Sequence, residues 1–133
     1  MAGEVICTID ATADAARVAA AAADFAEQLG LRLVVADGGQ PTTPERSEAF
    51  LEGVAEAAGL HGAELRVGTD DPVQAVLELA AAEDAELIVV GRSSKAWREL
   101  VRRANCPVLV FPKASERQPE RQERERQERL SER

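Results

Sequence analysis

From position 4 to position 111, short apolar runs alternate with longer amphipathic stretches, and this alternation constrains the fold more than any single residue does. EVICTID (4–10) gives way at Thr12 to a stretch with helical spacing that ends at Leu29 and closes on Gly30, the residue type that terminates helices. LRLVVAD (31–37) follows, then the turn-rich GGQPTTP (38–44), a helix from about Glu45 to Ala58 closing at Gly59, and AELRV (63–67). Asp71 and Pro72, an acid at the N-cap and a proline in the first turn, open a third helix through Val73, Val76, Leu77 and Leu79 to about Glu83. ELIVV (86–90) ends at Gly91, a short helix is expected over roughly Ser94 to Ala104, and PVLVF (107–111) is the last strand. Five strands alternating with four helices call for right-handed crossovers and a mostly parallel sheet covered on both faces. The expected fold is α/β, a doubly wound five-stranded parallel sheet. Leu33–Val35 and Leu87–Val90 read as central strands; the polar 63–67 run and the proline-led last strand read as edges.

At 133 residues and 45% apolar content the chain has material for one core, so a single domain over 1–113 is expected. The remaining 114–133 hold six Glu and six Arg with one Leu and one Pro. This segment reads as a solvated, charged C-terminal tail, either disordered or an exposed helix laced by pairs such as Glu120 with Arg124. The net charge of −8 therefore belongs to the domain. With only Phe25, Phe50, Trp97 and Phe111 as aromatics, a basic groove with stacking platforms is absent, and nucleic acid is not an expected partner. Neither a leader nor a membrane span is expected: Met-Ala-Gly-Glu has no basic segment, and the longest apolar run, Val18 to Ala23, is six residues, mostly alanine. Cys7 and Cys106, far apart in a chain rich in Ala and Arg, read as free thiols in a reduced cytoplasm and as small buried hydrophobes.

A doubly wound sheet binds ligands at the carboxyl ends of its strands, where chain direction reverses across the sheet. That places Asp10, Asp37 and Gly91 to Ser94 at the expected crevice. The turn after the first strand has no glycine, which excludes both the dinucleotide fingerprint and the P-loop. VGRSSK (90–95) offers a glycine, two hydroxyls, two cations (Arg92 and Lys95) and a helix start. It can cradle an anion, and it is equally an ordinary turn with a hydroxyl N-cap. Asp10 can accept hydrogen bonds from ribose hydroxyls or a base amine, or cap the helix that follows. Asp37 reads first as a soluble loop residue. The lone His61 reads as a surface residue, no metal site is expected, and no nucleophile–base pair can be nominated, so no catalytic residue is named. Trp97, Leu100 and Val101 have the spacing of a core stripe.

Three segments resemble the universal stress protein family: VICTID (5–10) with its terminal Asp10 and long following helix, PVQAVLELAAAEDAELIVVGR (72–92), and RANCPVLVF (103–111). The resemblance covers nearly all of Val5 to Pro112. It implies a small cytoplasmic stress-response protein with a Rossmann-like sandwich, strand order 3-2-1-4-5, in a family where some members bind ATP. It also implies a homodimer through the last strand, Val108, Leu109, Val110 and Phe111, which would close an otherwise exposed edge. The ATP-binding members are similar to one another in a G-x2-G-x9-G-[ST] loop after the fourth strand. Here Gly91 matches the first glycine, Ser94 stands at the second, and the later glycine with its hydroxyl neighbour is missing. The tentative nucleotide site is thus Asp10, Ala11, Asp37, Gly91, Arg92, Ser93 and Ser94. The function implied is a non-catalytic stress-response or regulatory protein in which binding of ATP with Mg is weak or lost. The alternative is an ATP-binding member with slow hydrolysis. A phosphorylated receiver domain fails because no acidic pair accompanies Asp10.

Overall fold

The structure, a computed structural model, describes residues 3–39 and 42–113. The charged tail and the ion pairs expected within it lie outside the described residues. The elements run β1 (Glu4–Ile9), α1 (Ala15–Leu29), β2 (Arg32–Asp37), α2 (Pro44–Ala58), β3 (Glu64–Arg66), α3 (Pro72–Ala82), β4 (Ala85–Gly91), α4 (Trp97–Arg103) and β5 (Val108–Phe111). All five strands are parallel in the order β3-β2-β1-β4-β5, so the sheet is the expected doubly wound one, with β3 and β5 at its edges.

β1 is the innermost strand and every one of its residues is buried. Its alternating side chains feed two cores. Val5, Cys7 and Ile9 point to the face covered by α1 and α2, where Val18, Ala19, Ala22, Ala26, Leu51 and Val54 meet them. Ile6 points to the other face with Val34, Ile88 and Val90, under Val73, Val76 and Leu100 of α3 and α4. The alanines of α1 put almost no side-chain volume between helix and sheet, which lets the backbone lie close to β1 and β4. Cys7 and Cys106 are free thiols, and burial pushes the Cys7 thiol up to about 12, that of a buried small hydrophobe.

The helix ends follow from single residues. Gly30 and Gly59 both adopt left-handed backbone, φ 67° and 69°, and the next residue's N–H returns to the helix, Leu31 to Ala26 and Leu60 to Ala55. Thr43 and Asp71 cap α2 and α3 by accepting from the N–H groups of Arg46 and Gln74, each ahead of a proline.

Two helices begin later than their sequence suggests. α1 starts at Ala15 rather than Thr12, because the chain first makes a turn in which Thr12 N–H donates to the Asp10 carbonyl and Ala15 N–H to that of Thr12. α4 starts at Trp97 rather than Ser94, because Ser93 and Ser94 are held by side chains of the first connection. On α4, Leu100 is fully buried and Trp97 packs against the second core, but Val101 is 50% exposed. A seven-residue helix lying on an edge presents too narrow a face to bury all three. Among the described residues, no helix is long and apolar enough to cross a membrane.

Candidate functional site

At the carboxyl ends of β1, β2 and β4 the chain turns away from the sheet, and the space above those turns is kept open by glycine. A Cβ on Gly38 would collide with the Thr8 hydroxyl and come within 3.2 Å of an Asp10 carboxylate oxygen. One on Gly91 would press on Val18 of α1 at 3.0 Å. These close approaches bring the β1–α1, β2–α2 and β4–α4 connections together.

Asp10 sits just past β1 and reaches across to the β4–α4 connection. Its Oδ1 accepts from Ser94 Oγ at 3.1 Å and its Oδ2 from the Lys95 N–H at 3.4 Å. Ser94, almost fully buried, accepts in turn from the Ala96 N–H at 3.1 Å. Four residues on, Asp14 Oδ2 accepts from Ser93 Oγ at 2.6 Å and Asp14 Oδ1 pairs with Arg17 at 3.3 Å. Asp10 therefore does not cap α1. Its carboxyl is held above the ordinary aspartate range, first by burial and further by the charge of Asp37, against the hydrogen bonds from Ser94 and Lys95. Of the residues singled out from the sequence, Asp10, Gly91, Ser93 and Ser94 are thus brought into one cluster, with Ala11 exposed beside it. The Arg92 N–H donates to the Phe111 carbonyl at 2.8 Å, while its guanidinium lies over the Trp97 ring, 5.8 Å from the centroid.

Asp37 corrects its reading as a soluble loop residue. It is 8% exposed, accepting from Ser47 Oγ at 2.7 Å and from the Gly39 N–H at 3.0 Å, and Ser47 accepts from the Gly68 N–H at 2.7 Å. The carboxylate ties the ends of β2 and β3 to α2.

Two hollows flank these clusters. One of about 420 Å³ is open above Asp10, Ala11, Gly38, Gly39, Lys95 and Glu99. The second, about 260 Å³, lies between the ends of β2 and β3 and the flank of α3, lined by Ala36, Asp37, Val67, Thr69, Val76 and Leu79. Pro72 lines both, so the two hollows lie side by side. Asp14, Ser47 and Gly38 were not expected here: their partners stand 79, 10 and 30 positions away in the chain, and nothing local marks the pairing.

No family model matches the chain, and neither does any curated protein. Solved structures do. A universal stress protein from Archaeoglobus fulgidus superposes with a TM-score of 0.66 at 25% identity, over 83% of this chain and 93% of that one. The Archaeoglobus fulgidus universal stress protein in complex with dAMP gives 0.64 at 26%, over 83% and 97%. A universal stress protein in complex with cAMP gives 0.60 at 29%, over 82% and 95%. These likenesses support a universal stress protein-like family for the chain. The connection between β4 and α4 is short. Only five residues separate Gly91 from α4, and the hydroxyls in that connection are already bonded to the chain's own Asp10 and Asp14.

Proposed function

We propose that this protein is a non-catalytic, cytoplasmic regulatory module of universal stress protein type, whose crevice takes an adenine nucleoside or its monophosphate and holds ATP weakly or not at all. One observation carries the reading: in the β4–α4 connection, Ser93 Oγ and Ser94 Oγ donate to carboxylates, at 2.6 and 3.1 Å. A polyphosphate needs several N–H or O–H donors wrapped round it, each charge-assisted bond contributing about 1.5–3 kcal/mol. Losing two such bonds weakens binding by roughly a hundredfold or more. Asp10 and Asp14 add like-charge repulsion, which Lys95 and Arg92 at the rim offset only in part. The hollow beside Asp37 is open to a purine, and the similar structures carry cAMP and dAMP, ligands with a single phosphate.

Calorimetry with AMP, cAMP and ATP, each with and without Mg, tests this. The expected result is ATP binding no tighter than that of AMP, with a Kd no lower than the high-micromolar range. A low-micromolar Kd for Mg-ATP that Asp10→Ala abolishes would overturn it in favour of an ATP-binding member with slow hydrolysis.

A further inference from the structure

At the opposite end of the sheet, the amino-terminal ends of the strands bring three carboxylates together. Glu4 opens β1, Glu64 opens β3, and Glu83 follows directly on α3. One oxygen of each lies within 4.8 Å of the others, the one such group among the described residues. Arg32 pairs with Glu4 Oε1 at 2.7 Å, and Arg66 bridges Glu64 and Glu83 at 3.2 and 3.0 Å. Two guanidinium groups face three carboxylates, which leaves one negative charge in excess.

Glu4 is the buried member of the group. It is 1% exposed, and its Oε2 is buried with no hydrogen-bond partner, beside the Glu83 carboxylate. A buried carboxylate oxygen left without a partner beside a second carboxylate is unfavourable unless something positive joins them. We propose that Glu4, Glu64 and Glu83 form a binding site for a hard divalent cation, calcium before magnesium. The donor set is all oxygen, which selects neither zinc nor copper. Calcium takes oxygens at about 2.3–2.6 Å, so its ligands stand up to roughly 4.6–5.2 Å apart, within reach of carboxylate oxygens that already lie within 4.8 Å of one another. Magnesium, at about 2.0–2.1 Å in a strict octahedron, requires the carboxylates to close in. Glu64 and Glu83 are partly exposed and give access from solvent, and Arg66, about half exposed, is free to swing out as the cation enters. The site lies across the sheet from the nucleotide crevice and does not depend on it.

The full chain is melted at mildly alkaline pH in millimolar calcium, magnesium or sodium chloride at matched ionic strength. Calcium is expected to raise Tm by several degrees and magnesium by less. Glu64→Gln, a half-exposed change that leaves the core intact, is expected to weaken calcium binding about tenfold or more by calorimetry. Glu4→Gln is expected to melt above the parent without cation and to lose the calcium response. If the parent melts alike in calcium and sodium, or if Glu64→Gln and Glu83→Gln bind calcium as the parent does, the proposal is wrong. The buried oxygen is then satisfied by a proton shared with Glu83.

Discussion

Ser47 is a polar side chain in a helix face that otherwise buries Leu51 and Val54, and it stays there because both of its hydrogen-bonding roles are filled. It donates to Asp37 and accepts from the Gly68 amide, both at 2.7 Å. Ser47→Ala removes one hydroxyl and leaves two partners short, the carboxylate oxygen of buried Asp37 and the N–H of half-buried Gly68. The expected loss is about 1–3 kcal/mol, a fall in Tm of roughly 4–15 °C for a domain of this size. A Ser47→Ala protein melting within a degree of the parent would show that the network adds nothing to the fold. Asp37 was readable as an acid at a strand end. That its carboxylate turns inward depends on a serine ten positions later and on a loop amide 31 positions later, which no local pattern reveals.

At the scale of elements, most of what the sequence says was legible, because it rests on short-range physics. The glycine caps of α1 and α2, the Asp71-Pro72 start of α3 and the polar edge at β3 all appear where local rules put them. The starts of α1 and α4 do not: a tight turn over 10–15 delays α1, and the bonds of Ser93 and Ser94 to Asp14 and Asp10, 79 and 84 positions away, delay α4. The same interlocking makes the β2–α2 connection sensitive to one methyl group. In Gly38→Ala the new Cβ overlaps Thr8 Oγ1, a side chain buried in the innermost strand, so a loss of about 1–3 kcal/mol is expected. Thr8→Ala in the same chain takes away the clashing atom and is expected to restore part of the loss. Strict additivity of the two changes in denaturant melts would mean that the clash is relieved elsewhere.

For the whole molecule, the open question is what meets β5. It ends the sheet, and all four of its residues are only half-buried, with Arg17 lying over the Phe111 ring at 4.8 Å. An apolar strand at the end of a sheet invites pairing, and a two-fold arrangement closes two such edges at once. Light scattering at tens of micromolar protein is therefore expected to give a dimer mass, and Val110→Lys, checked by circular dichroism for intact fold, a monomer mass. A parent that scatters as a monomer would sink the idea. The position of β1 has a further consequence, in time rather than space. Its partner β2 follows after a single helix, but its other neighbour, β4, lies about 80 residues further along the chain. At about 5–20 residues per second a ribosome needs roughly 4–16 s to make that stretch. For those seconds the most buried strand of the finished protein has one bare edge, and every nascent chain passes through an interval in which chaperones, or the β1 of another nascent chain on the same message, compete for the place that β4 will take.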